Sequence, residues 1–347
     1  MYDFLIVGQG IAGSSLAWHL IEAGKKIAVI DNGNLNNVSH AASGIINPIT
    51  GKRFVKSWLI DTLQPYALQC YRKIEADLNV SFLKELTIYH VLNSIEEVND
   101  WSIKAATDGY TQYLSNFKIH ALAAEKVLNP NGCFEVQGAL KINARLFLQA
   151  IKHKIRQSNL FIEDSFDENA LTITPHKICY QNIEAQYIIF ATGFDAAQSA
   201  LFTPIKFSPV KGEGLFIEIK NFYPENIIHG DVLISPTNEK DIYYAGSTYE
   251  WQFTNDQPTE SKLHELTQRI KNTIRCNFSI LQHVAGIRPA SKNRRPIIGL
   301  LPNSRIGIFN GMGTKGFSLS PYFAKHFCQH LLEETDLLPE VDVKRFF

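Results

Sequence analysis

Residues 7–13 read VGQGIAG, with Gly8, Gly10 and Gly13 spaced as GxGxxG. Upstream, Phe4 to Val7 is a short continuous apolar run, the pattern of a parallel strand buried on both faces. Downstream, in SSLAWHLIEAG, Leu16, Ala17, Leu20 and Ile21 recur at helical spacing and Gly24 closes the helix. KKIAVID then predicts a second buried strand, so residues 3–31 form a β-turn-α-β unit. In such a unit the first glycine makes the tight turn, the second admits a pyrophosphate to the backbone, and the third packs helix on strand. The helix N-terminus adds unpaired N–H groups and the positive end of its dipole. Asp31 ends the second strand, placed to accept hydrogen bonds from a ribose diol and to oppose a 2′-phosphate. Strand, helix and acid in register point to FAD or NAD rather than NADP.

The chain has 347 residues, 45% hydrophobic and 20% charged, which suits two domains or one large domain with an insertion. Thirty-four basic residues balance 34 acidic ones, so no global field draws nucleic acid or membrane, which argues against a polyanion-binding role. Cys70, Cys133, Cys179, Cys276 and Cys328 are scattered without metal or disulfide spacing, as in a reducing compartment, and no metal site is expected. The start MYDFLIVGQG has no basic n-region of a signal peptide. No apolar run approaches the roughly 18 residues needed to span a bilayer, so a cytoplasmic protein is expected.

Further along, residues 59–78 predict a helix and LTIYHVL a strand, and GALKINARLFLQAIKHKI (138–155) predicts an amphipathic helix. LFIED, ALTITP, KICYQN and QYIIFATG are strand-like, and residues 207–247 alternate strands with turns at Gly230-Asp231 and Asn238-Glu239. Residues 261–275 predict a helix. The chain ends with the strand RIGIFNG, a glycine loop, and a helix from about Ser318 to Glu333, with Pro321 in its first turn. β-α-β signals at both ends enclose β-rich stretches, so the chain leaves one domain and returns to it.

Two later segments favour FAD over NAD. QYIIFATG is a buried strand ending in Ala191, Thr192 and Gly193, small residues that permit close approach beside the first site. GIFNGMGTKGFSLSP repeats the strand, glycine loop and helix at Gly311, Gly313 and Gly316. A second helix N-terminus delivered from far along the chain suits a long, two-headed cofactor, and its dipole could stabilise negative charge on a reduced flavin. The alternative is simply another well-capped helix.

These pieces carry a family resemblance over nearly the whole length. VGQGIAG with VID, SHAASGIINP, IIFATGFDA, PVKGEGLFIE, GSTYE, GIRPASKNRRPIIGLLP and NGMGTKGFSLSP, in that order, resemble the D-amino-acid-oxidase/glycine-oxidase family of FAD-dependent amine oxidoreductases. GTKG and RPASKNRRPIIG also resemble the FAD module of the bifunctional tRNA wobble-uridine modification enzyme, whose methyltransferase half has no room in 347 residues. The resemblance implies an α/β fold: a Rossmann-like FAD-binding domain of the glutathione-reductase type, with a second, antiparallel-sheet-based substrate domain, discontinuous in sequence. Residues 1–80, 139–206 and 286–347 would form the FAD-binding domain, and 81–138 with 207–285 the substrate-binding domain.

By the match, Gly8, Gly10, Ile11, Ala12 and Gly13 would hold the pyrophosphate, and Asp31 with Asn32 the adenosine ribose. Ser43, Gly44 and Ile45 would meet the flavin and its phosphates, Phe166 the adenine through its backbone, and Ala191–Gly193 would lie alongside. Gly311 and Met312, Gly313, Thr314, Lys315, Gly316 and Phe317 would form the loop under the pyrimidine edge of the flavin ring. Arg288, the arginine of GxRP, would grip a substrate carboxylate, since a guanidinium pairs with a carboxylate through two parallel hydrogen bonds. Its alternative is a structural salt bridge. Tyr249 would bring a hydroxyl near the substrate, and Lys315 near flavin N5 could assist oxygen reduction.

The chain departs from the family at Asn293, where many relatives are acidic, at Thr314, where glycine oxidase has a second arginine, and at about Leu233, where it has a tyrosine. Lys52, Arg53 and Lys56 follow the flavin-contact segment; they either face the cavity, with Lys52 a substrate contact, or form a solvated basic loop. His40 sits one residue off the position at which relatives tether flavin covalently. The implied reaction is oxidation of the Cα–N bond of an amino acid or N-substituted glycine, with oxygen or another electron acceptor. The alternatives are tRNA side-chain (carboxymethylaminomethyl) modification and a non-catalytic flavin-binding protein.

Overall fold

The computed structural model describes residues 1–34, 38–51, 53–114, 125–222 and 225–347. Two sheets of eight strands each dominate it. The first runs in the order Ile297–Leu300, Ile306–Asn310, Ile183–Phe190, Tyr2–Val7, Ile27–Asp31, Leu160–Glu163. All neighbours in this run are parallel except Ile297–Leu300, which is antiparallel to Ile306–Asn310. Leu5, Ile6, Val29 and Ile30 are fully buried, which is why these strands read as continuous apolar runs. Ile11–Glu22 and Gly316–Glu333 pack against each other in the core above this sheet.

The second sheet runs Ser279–Arg288, Val210–Glu218, Ile242–Gly246, Leu233–Pro236, Ile227–His229, Leu83–Val91, Cys133–Ile142, Ile45–Ile46. Only the pair of Ile227–His229 with Leu83–Val91 is parallel. The expected boundaries at 139 and 286 would cut two of its strands, and Ile45–Ile46 joins it from the N-terminal region. One face is apolar: Leu215, Ile217, Ile228, Ile234, Tyr243 and Ala245 pack on Leu266 and Ile270 of the helix Glu260–Lys271. Alternation then puts Gly212, Gly214, Leu233, Ser235, Tyr244 and Arg288 on the opposite face.

Two expectations are corrected. Residues 138–142 are not helical; the strand Cys133–Ile142 continues through a bulge at Gly138 (φ +74°), and the helix Ala144–Ser158 begins only after Asn143, whose Oδ1 accepts from Leu146 N at 3.2 Å. The C-terminal helix starts at Gly316, so Pro321 lies beyond its first turn. The carbonyl four residues before Pro321 loses its helical donor, and that oxygen, on Phe317, accepts instead from the Tyr71 hydroxyl at 2.9 Å.

Candidate active site

The fingerprint folds as a cradle because larger side chains have no space. Gly8 has φ +97°, and a β-carbon there would lie 2.6 Å from the Ala191 carbonyl oxygen. At Gly13 it would lie 1.9 Å from the Gly8 carbonyl oxygen. The helix Ile11–Glu22 has no side-chain cap from Gly10 and no acid in its first turn. Ile11 N donates to Ser39 Oγ at 3.1 Å, while the N–H groups of Ala12 and Gly13 have no partner among the described residues. Asp31 accepts from Gln9 N at 2.7 Å and Gly33 N at 2.8 Å, which fixes its carboxylate at the mouth of this turn. Open N–H donors, a bare backbone and an anchored acid fit the pyrophosphate and ribose of a dinucleotide.

The C-terminal glycine loop comes to the same place. A β-carbon on Gly316 would sit 2.9 Å from Ile11 Cγ2. Buried Asn310 ties the loop down: its Oδ1 accepts from Gly311 N at 2.8 Å and its Nδ2 donates to the Gly193 carbonyl at 2.9 Å. Gly313 N donates to the Pro289 carbonyl at 3.2 Å, and Ala290 bridges Met312, so the loop also touches the segment carrying Arg288. Lys315 Nζ donates to Ser57 Oγ at 2.9 Å, and Ser57 Oγ to the Asn47 carbonyl at 3.0 Å, next to Ile45–Ile46. Burial, with Arg295 and Arg294 nearby, lowers the Lys315 ammonium to about 8. Gly44 (φ +70°) presses on the Ile142 carbonyl, which fixes Ser43–Ile45 against the second sheet. Phe166 stacks on Tyr180 at 4.5 Å, beyond the end of Leu160–Glu163.

Arg288 has no carboxylate within ion-pair distance among the described residues. Glu213, the nearest acid in its sheet, faces the other side and is taken up by Lys211 (3.2 Å), His283 (2.8 Å) and Thr259. Arg288 Nη2 donates to Ser247 Oγ at 2.7 Å and Nη1 to the Thr248 carbonyl at 3.2 Å, both neutral acceptors. A β-carbon at Gly212 would lie 2.0 Å from Nη2, so the missing side chain is the slot for the guanidinium. The Tyr249 ring covers the guanidinium at 4.8 Å and stacks on Trp251, and the residue as a whole is 52% exposed.

Sequence reasoning missed Tyr244. Its hydroxyl lies where β-carbons at Gly214 and Gly246 would be, at 2.3 and 2.7 Å, and burial raises it to about 12 despite the Arg288 charge. The facing glycines of GEG and AGS were the available signal. Lys56 pairs with Asp61 and with the Gly109 carbonyl, and Arg53 is exposed. Lys52 lies outside the described residues, as does the side chain of His40.

The FAD dependent oxidoreductase (DAO) family matches residues 3–330. Glycine oxidase of Bacillus licheniformis is 23% identical over 349 residues, covering 92% of this chain and 90% of that protein. The solved glycine oxidase of Geobacillus kaustophilus superposes with a TM-score of 0.81 at 18% identity, covering 99% and 97%. The L-proline dehydrogenase of P. horikoshii gives 0.81 at 17% identity, covering 99% and 97%. No described helix is long and apolar enough to cross a membrane. With a family match across almost the entire chain and two glycine loops that meet as an FAD site requires, the chain belongs to the DAO family of FAD-dependent oxidoreductases.

Proposed function

We propose that this protein oxidises the Cα–N bond of an amino acid or N-substituted glycine. The observation that carries the reading is Arg288: a guanidinium on the sheet face turned to the glycine loops, held by neutral acceptors and left without a carboxylate of its own chain among the described residues. Such a group binds a substrate carboxylate through two charge-assisted hydrogen bonds. Gly212 gives the guanidinium its space, Tyr249 covers it, and Ser247 and the Thr248 carbonyl fix its plane. The carboxylate is thereby oriented, and with it the neighbouring Cα–H, so positioning supplies much of the rate.

The cofactor would be held by Gly8–Gly13 and Asp31 at one end and by Ser43–Ile45 and Gly311–Phe317 at the other. Bound there, FAD would supply the hydride-accepting chemistry, with oxygen or another acceptor as the final oxidant. The substrate amine gives up its proton to solvent beforehand, and no histidine or carboxylate of the chain has to act as base. Water hydrolyses the resulting imine. In this reading the first sheet carries the cofactor and the second the substrate.

The test is anaerobic mixing of purified yellow protein with a panel of amino acids and N-alkyl glycines. Bleaching of the visible flavin band by members of the panel supports the reading. A flavin that no member bleaches, yet dithionite does, refutes it.

A further inference from the structure

A second basic group lies on the same sheet face. Lys141 pairs in register with Ile45, the residue assigned to the flavin contact, so the two side chains share a face. The bulge at Gly138 sets that face: Ala139 opposes Leu86 where Val136 opposes Ile88, which turns Lys141 to the side of Leu233, Ser235 and Tyr244. There Lys141 Nζ reaches fully buried Ser235 and donates to its Oγ at 2.7 Å. Ser235 is the register partner of Tyr244. In the order of the sheet the strand of Tyr244 therefore lies between that of Gly212, where the Arg288 guanidinium sits, and that of Ser235, which Lys141 reaches.

No carboxylate lies within ion-pair distance of Lys141 among the described residues, and the one charged neighbour acting on it, Lys84, is of like sign. An ammonium has three donors and no acceptor, and one hydroxyl satisfies only one of them. Burial, reinforced by Lys84, lowers this ammonium to about 7. A lysine kept enclosed without a counter-ion is unfavourable unless something else supplies the negative charge.

Resting on the proposed function, we infer that Lys141 with Ser235 forms a second carboxylate-binding point, so that the substrate is an amine carrying two carboxylates: one on Arg288, one on Lys141, with the amine between them. A dicarboxylic amino acid and an N-(carboxyalkyl) amino acid both have this form. The ordinary amino acids with apolar side chains would leave the Lys141 donors unmatched.

The test uses binding rather than turnover. The purified holoenzyme is titrated, through the change in its visible flavin spectrum, with succinate and glutarate and, separately, with propionate and butyrate. At least one dicarboxylate binds roughly tenfold or more tightly than the monocarboxylate of matching length, as a charge-assisted hydrogen bond implies. In Lys141→Met that advantage disappears while the monocarboxylate dissociation constants stay unchanged. Equal affinities in the wild type, or an advantage that survives in Lys141→Met, overturn the Lys141 assignment and leave Arg288 untouched. A wild type that binds neither class overturns both. The wild-type comparison needs no variant, so the inference stays refutable even if Lys141→Met fails to fold.

Discussion

Gly316 and Ile11 are 305 positions apart in sequence, yet a β-carbon on Gly316 would lie 2.9 Å from Ile11 Cγ2. That contact brings the N-termini of Ile11–Glu22 and Gly316–Glu333 together. Gly316→Val should push them apart, at about 1–3 kcal/mol for an overpacked contact. The expected outcome is a protein that folds but is purified with much less FAD, read from the ratio of visible to ultraviolet absorbance. Full retention of FAD would show that the close approach is not needed.

Arg288→Ala should leave FAD binding intact, because the Arg288 side chain contacts Ser247, Thr248 and Tyr249 rather than either glycine loop. Substrate KM should rise roughly 30-fold or more, the cost of losing a buried charged partner. Arg288→Lys should recover only part of this, since an ammonium lacks the two-pronged geometry. Unchanged KM in the alanine variant would remove the substrate role.

Gly212→Ala tests the same role from the opposite strand. Its β-carbon would fall 2.0 Å from Arg288 Nη2, so the guanidinium must leave its slot. The expected outcome is a raised KM with FAD retained, much as for Arg288→Ala. Wild-type steady-state kinetics in this variant would mean that the guanidinium is not fixed by Gly212.

How far these features were legible follows from their range in sequence. The β-turn-α-β unit depends on contacts between near neighbours, so periodicity and the glycines were enough to find it. The slot at Gly212 depends on pairing Val210–Glu218 with Ser279–Arg288, which the residues of either strand alone do not reveal. Residues 138–142 read as helix because Ala139, Leu140 and Ile142 run on into the apolar period of Ala144–Ser158. That merging concealed the bulge that aims Lys141. Arg288 was legible as a candidate, but its lack of an acidic partner among the described residues was not, because Glu213 could be assigned to the other face only once the register was known.

Lys315 gives a pH prediction. Its folded value, about 8, lies below its ordinary 10.5, so between those values the unfolded chain holds the proton more strongly and folding stability rises with pH. Below about 8 the lysine is charged in both states and its burial cost is fully present. Lys315→Met should therefore raise Tm relative to wild type at pH 7, and this gain should shrink between about 8 and 10.5. Thermal melts of both proteins across that range provide the check, and a gain independent of pH would contradict it.

The central claim is that one FAD spans both glycine loops and faces Arg288. A crystal structure of the purified holoprotein with a non-reactive carboxylate bound tests it most directly. The pyrophosphate should lie on the N–H groups of residues 11–13, the flavin ring beside residues 311–317, and the carboxylate should pair with the Arg288 guanidinium. A flavin lying away from the C-terminal loop, or a carboxylate bound with Arg288 turned elsewhere, would contradict it.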